Sequence, residues 1–266
     1  MELLDIYSVV AVFCYSLATI AILTRLFHPD GPNLKLVLTF GCLAIIGHTL
    51  ADTQFLYAND TINFNLPNVI SLVSLLIALA VTAISLRFKV NLLLPVVYGF
   101  AGIWQLIILI IPPLHEIPLT AEKLVVFTHI ILSLIAYCVL VIATLYSFQV
   151  AYINYKLKSK NLTAVSHLPP LMQVERQLFI ILAMGTLCLI LSSLSGFIFM
   201  ENFFAKGTLH KTLLSLVALV MYLVILWGHF KRGWRGHRVL ILTTTATSIL
   251  TLSYFGSRFV KEFLLS

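Results

Sequence analysis

Residues 208–238 read TLHKTLLSLVALVMYLVILWGHFKRGWRGHR. Between Lys211 and Lys231 there is no Asp, Glu, Lys or Arg, and almost every position is aliphatic or aromatic. A helix over 209–230 would rise about 33 Å at 1.5 Å per residue, enough to cross roughly 30 Å of hydrocarbon. His210 opens the run, His229 closes it, and positions 231–238 hold five basic residues, His237 counted among them.

The same pattern recurs along the chain. Spans are expected at about 5–24, 35–56, 67–86, 92–111, 123–151, 174–199, 209–230 and 238–262. The composition agrees: 60% of the 266 residues are hydrophobic, 10% are charged, and mean hydropathy is +1.03. A soluble domain of this length needs far more polar surface. The expected fold is all-α: a polytopic membrane protein, a bundle of eight transmembrane helices in one integral membrane domain over 1–266. The first run has no basic leading segment and is preceded by Glu2 and Asp5. It reads as a retained helix rather than a signal peptide.

Twelve of the 17 Lys and Arg residues fall in alternate loops: Arg25, Lys35, Arg87, Lys89, Lys156, Lys158, Lys160, Arg176, Lys231, Arg232, Arg235 and Arg238. Lys123, Lys206, Lys211, Arg258 and Lys261 fall on the other side. The richer side is expected to be cytoplasmic, with both termini outside. The formal charge of +7 thus reflects loop topology, and no nucleic-acid partner is implied. Trp104, Trp227 and Trp234 suit an interfacial belt. Cys14, Cys42, Cys138 and Cys188 sit in apolar runs without a CxxC or CxxCH spacing, as packing residues do.

Orientation gives the histidines depths. His28, His167, His229 and His237 fall at the cytoplasmic side, and His115 in an outer loop. His48, about 20 Å from the start of its span, His129, about 9 Å inside its own, and His210 at the rim all fall in the outer third. Three ionisable groups at one depth on three helices are functional candidates, and neutral imidazole is an axial ligand for haem iron. The alternative is a set of hydrogen-bonded interfacial residues. Asp52, one turn after His48, either fixes that ring's tautomer or is solvated at the helix end.

There is no H-x-x-x-H pair, no phosphate-binding Gly-rich loop and no G-x-S-x-G, so an enzyme is not expected. Spans three to eight carry no mid-depth acid, which counts against an ion-coupled transporter.

The second half resembles the CcsA/CcmC/HemX family of haem-handling membrane proteins, most closely its YpjD branch. LVVFTHIILSLIAYCVLVIATLYSFQVAYINYKLK (124–158) is similar to the CcsA segment whose outer histidine precedes a helix with Ser-Tyr and small residues. In it His129 matches the family's first periplasmic haem-ligand histidine. LPPLMQVERQLFIILAMGTLCLILSSLSGFIF (168–199) resembles the next helix, with Gly185 and Gly196 at its glycine positions. HKTLLSLVALVMYLVILWGHFKRGWRGHR (210–238) resembles the following one, with His229 at a transmembrane-histidine position, and LSYFGSRFV (252–260) resembles the last. Upstream, GHTLADTQFLY (47–57) and INFNLPNVISL (62–72) place His48 and Asn68 on matched positions. The likeness covers about 40–262.

Two departures stand out. The family's tryptophan-rich WWD loop is replaced by MENFFAKGTL at 200–209, and its second periplasmic histidine after the last helix has no counterpart.

The resemblance implies a bacterial inner-membrane protein with periplasmic termini, holding haem b non-covalently for cytochrome c assembly. His129 is then one expected axial ligand; His210 is expected as the other from its depth, which the family's pattern does not supply, with His48 a substitute and Asp52 its orienter. Lys123, Lys206 and Lys211 would pair with propionates, and His229 is either interfacial or a transient ligand at haem entry. Partners would be haem and cytochrome c maturation components or another membrane protein. The alternative expectation is a HemX-like regulatory or accessory subunit that has lost the haem-delivery loop.

Overall fold

The computed structural model describes residues 3–26, 28, 31–58, 61–111, 124–159, 169–199 and 209–260. Its long helices are α1 (Leu3–Leu23), α2 (Leu34–Leu56), α3 (Leu66–Ser85), α4 (Leu93–Ile110), α5 (Leu124–Lys158), α6 (Leu171–Phe199), α7 (Leu209–Arg232) and α8 (His237–Thr251). Between α2 and α3 the two-residue strands β1 (Tyr57–Ala58) and β2 (Thr61–Ile62) pair antiparallel, Tyr57 opposite Ile62. A π-helical turn at Leu252–Gly256 and the short α9 (Ser257–Phe259) follow α8.

Among the described residues, eight helices are long and apolar enough to cross a membrane. The expected boundaries differ from the observed ones by three residues or fewer, except at α5 and the last span. Helix α5 continues seven residues past the expected end to Lys158, with the Lys156 ammonium 5.6 Å from the Tyr152 ring centroid. The span expected over 238–262 is α-helical only to Thr251, where the π turn intervenes.

Local chemistry sets the helix ends. Asn65 caps α3 by accepting from the Asn68 N–H at 3.1 Å, and Pro67 sits in the first turn, where a missing N–H is harmless. Helix α7 stops at Gly233, whose left-handed φ of 65° suits glycine; its N–H returns to the His229 carbonyl at 3.0 Å. Gly236, with φ 63°, then turns the chain into α8.

The helices group into two compact units. Unit 1 comprises residues 1–120 and 161–169, and unit 2 comprises 121–160 and 170–266. In unit 1, α1 packs against α2 and α4, and α3 packs against α2 and α4. In unit 2, α5 and α6 share a long seam, α8 packs on α5 and α7, and α7 on α6.

Large apolar side chains point outward on many spans, among them Phe13, Ile103, Met184 and Val220, while Ser8, Thr82, Gln149 and Thr243 are buried. Lipid tails accept such a surface, and the interior must then satisfy its own polar groups. In unit 2 one chain of hydroxyls does so. Thr144 donates to the Leu140 carbonyl at 3.0 Å, so its oxygen accepts from Thr247 at 2.6 Å, and Thr247 accepts from the Tyr222 hydroxyl at 2.7 Å. Three helices, α5, α7 and α8, are thereby joined.

Glycine allows the closest approach in the α5–α6 seam. A Cβ on Gly185 would lie 2.9 Å from Leu140 Cγ and Cδ2 and 3.1 Å from Val139 Cγ1. At Gly99 the nearest atom would be Thr19 Cγ2 at 3.9 Å. Gly185→Leu is therefore expected to cost about 1–3 kcal/mol by overpacking, lowering the melting temperature of detergent-purified protein. Gly99→Ala should leave it unchanged or raised.

Candidate functional site

The sequence-selected histidines fall in different units: His48 with Asp52 in unit 1, and His129, His210 and His229 in unit 2.

Within unit 1, His48 is completely buried and both of its ring nitrogens are engaged. Nδ1 is 3.2 Å from the Tyr15 hydroxyl of α1, and Nε2 is 3.0 Å from Ser71 Oγ of α3. Asp52, one turn along α2, brings Oδ2 to 3.5 Å from the same Nε2. Ser71 donates to Asp52 Oδ1 at 2.7 Å, and Gln105 of α4 donates to Ser71 Oγ at 2.9 Å and to Asp52 Oδ1 at 3.4 Å. Asp52 is only 4% exposed, so it is not solvated at the helix end. The spacing of His48 and Asp52 was legible; their partners Tyr15, Ser71 and Gln105 were not singled out, because single Ser, Tyr and Gln residues within apolar runs carry no pattern. Neither ring nitrogen of His48 is open to a further ligand in this arrangement.

His129 is held differently. It is half-buried near the start of α5, and its Nδ1 is 2.9 Å from the Ser192 carbonyl and 3.0 Å from Ser195 Oγ, both on α6. A carbonyl only accepts, so Nδ1 carries the hydrogen. Ser195 donates its own hydrogen to the Ser192 carbonyl at 2.8 Å, leaving its oxygen to accept from the ring. The lone pair is then on Nε2, which has no hydrogen-bond partner among the described residues. This is the arrangement of a metal-ligating imidazole, whose second nitrogen donates to a carbonyl or carboxylate. The serines were missed in the sequence, although they stand three residues apart on the α6 face that meets α5.

His210 lies exposed in the first turn of α7. The hydroxyl chain through Thr247 gives Thr144 and Tyr222 a common level. His129 is 15 residues before the first and His210 12 residues before the second, about 22 Å and about 18 Å along their helices. The two histidines stand at one end of unit 2, level to within about a turn. The π turn ties that end together: Ser253 donates to the Lys211 carbonyl at 2.7 Å, and Tyr137 of α5 meets the rings of Tyr254 and Phe255 at 5.6 and 5.3 Å. Lys211, next to His210 in the chain, takes part in this contact through its carbonyl. Lys123 and Lys206, and with them the 200–208 segment, His115 and His167, lie outside the described residues.

His229 belongs to the opposite end of α7. Its ring stacks on Phe179 of α6, centroids 3.3 Å apart, and Nδ1 donates to the Trp234 carbonyl at 3.1 Å. It lines a cavity of about 440 Å³ with Glu175, Phe179, Phe230 and Arg235, the last 3.5 Å from the Glu175 carboxylate through Nε. Gly228 admits the Trp234 ring, which a Cβ there would strike. His229 and His210, 19 residues or about 28 Å apart along the helix, cannot serve one ligand atom. Among the described residues, no three His, Cys, Asp or Glu side chains gather to hold a metal ion; a haem ligand set needs only one or two imidazoles.

Two of the tryptophans have polar or cationic partners. Trp104 donates to the Pro67 carbonyl at 3.1 Å, and the Arg232 guanidinium lies 4.8 Å from the Trp227 ring centroid.

The profile of one family, described as cytochrome C assembly protein, matches residues 36–265. Inner membrane protein YpjD of Escherichia coli K12 is 37% identical over 261 residues, covering 97% of this chain and 99% of that protein. YpjD of Escherichia coli O157:H7 aligns with the same identity and coverage. An uncharacterized 28.8 kDa protein of Azospirillum brasilense is 32% identical over 142 residues, 52% of each chain. No solved structure matches. With a family match across both helical units and full-length identity above a third, the chain belongs to the cytochrome c assembly protein family.

Proposed function

We propose that this protein holds haem b at one membrane face as an inner-membrane haem-handling protein of the cytochrome c assembly type. It would act by binding its cargo, without catalysis. The observation that carries the reading is the state of His129: its Nδ1 hydrogen is tied to the Ser192 carbonyl and its Nε2 lone pair is open. The donor set fits haem iron, for which neutral imidazole is a strong axial ligand. His210, exposed at the same end of unit 2, is the second axial ligand in this reading. His48, engaged at both nitrogens, serves unit 1 instead. Lys211, with Lys123 and Lys206, supplies positive charge for the propionates. His229, stacked and anchored at the far end, is a second stopping place only if haem enters there.

In this reading the basic loops lie in the cytoplasm, and His129, His210 and both termini face the periplasm. Partners would be maturation components that take haem from this face, or another membrane protein. The composition of 200–209, without tryptophan, favours a second reading in which the chain is a HemX-like accessory subunit and carries no haem.

An absorption spectrum of detergent-purified protein, with a pyridine haemochrome assay, separates the two. A bis-histidine Soret band at one haem per chain is expected, and its loss in His129→Ala combined with His210→Ala; haem-free protein with a stoichiometric partner would establish the accessory reading instead. Ser195→Ala should keep haem yet loosen the ring, shifting the reduction potential. Alkaline phosphatase fused after Ser266 should be active, and a fusion after Lys158 inactive; the reverse pattern would invert the orientation.

A further inference from the structure

The cavity beside His229 is built within unit 2, on the first turns of α6, the end of α7 and the turn into α8. One face of α6 supplies Met172, Arg176 and Ile180 at four-residue spacing, with Ala183 a turn further on. Phe230 of α7 and Arg235 of the turn also line it. That turn is held by its own contacts. Gly233 and Gly236 take left-handed φ values of 65° and 63°, and the Trp234 N–H returns to the Gly228 carbonyl at 3.1 Å. His229 Nδ1 donates to the Trp234 carbonyl, and the buried Glu175 meets Arg235 Nε at 3.5 Å.

Polarity is divided along the cavity. Helix α6 has 29 residues and rises about 43 Å, close to the thickness of a bilayer with its headgroups. Arg176, about 8 Å from its start, falls at the headgroup boundary, while Ile180 and Ala183, about 14 and 18 Å from it, fall in hydrocarbon. Met172, Ile180 and Phe230 are exposed, so the cavity opens toward lipid. Apart from His229, its lining carries two guanidiniums and one carboxylate, a net charge of +1. A ligand that matches is apolar at one end and carries one negative charge at the other. Inorganic phosphate has no tail, and haem brings two carboxylates against a single net positive charge.

We propose that this cavity is a binding site for one anionic phospholipid. Its phosphodiester meets Arg176 and Arg235, and one acyl chain lies on Ile180, Ala183 and Phe230. A guanidinium presents paired N–H donors to two phosphate oxygens, and basic recesses between membrane helices take anionic headgroups. A zwitterionic headgroup adds an amine, and the one acid in the lining is already engaged by Arg235. The bound lipid fastens the start of α6 to the turn between α7 and α8. The site is at the opposite end of α7 from His210 and does not depend on haem.

The test is the melting temperature of the detergent-purified full chain, alone and with phosphatidylglycerol, phosphatidylcholine or inorganic phosphate. Phosphatidylglycerol at roughly tenfold above its Kd is expected to raise it by about 3 °C or more, and the other two to leave it unchanged. Arg176→Gln removes a headgroup contact, and Ile180→Trp fills the chain's place with the charges intact. Each should abolish the rise, read against that variant's own lipid-free melting temperature. Arg238→Gln, an exposed cation of α8 outside the lining, should keep it. No rise, or an equal rise with both lipids, would mean that no anionic headgroup is recognised. A rise reproduced by inorganic phosphate would make this an anion site without a tail, and one that survives both cavity variants would place the lipid elsewhere. Each of these results would overturn the proposal.

Discussion

The oxygen of Thr247 joins three helices. It accepts from Tyr222 on α7 and gives its hydrogen to Thr144 on α5, while belonging itself to α8. In hydrocarbon a hydroxyl has no solvent to fall back on, so each hydrogen must be given to a protein acceptor and each such gift fixes a level between helices. The rest of unit 2 follows from that level. It brings the start of α7 and the start of α5 to one end, and hence His210 and His129. Apolar packing alone would hold α5, α7 and α8 together without saying how far each slides along the others.

Unit 1 obeys the same requirement with a different outcome. Its polar groups also form a directed chain, from Tyr15 through His48 and Ser71 to Asp52, but the chain ends on a carboxylate. A hydroxyl chain can close on a backbone carbonyl, as Thr144 does on Leu140. A chain that ends on an acid must be balanced by charge.

Much of the fold was legible in the sequence because hydropathy alone marks a membrane crossing. Six of the eight spans emerged within three residues, while α5 runs further than expected and the last span is interrupted by the π turn. Grouping into two units was not legible, since outward-facing and inward-facing positions on these helices are both apolar. His129, His48 and Asp52 stood out because imidazole and carboxylate are costly in lipid. Ser192, Ser195, Ser71 and Gln105 did not, since their meaning lies in what faces them from another helix. The reading of Asp52 as a solvated end residue failed for that reason: its position along α2 was right, and the cover supplied by α3 and α4 is tertiary.

The π turn at Leu252–Gly256 changes the phase of the last span. Thr243, Thr247 and Thr251 recur every fourth residue and share one face, which meets α5 and α7. The wider turn then holds one more residue than an α-turn and rotates everything after it by about 100° relative to an unbroken helix. Ser253 consequently reaches the Lys211 carbonyl, and adjacent Tyr254 and Phe255 both touch Tyr137. One helix thus keeps two settings of its angular clock, an inner one for the hydroxyl chain and an outer one for the end that carries His129 and His210. Losing a single residue from this turn would preserve the first setting and turn the second away from its partners.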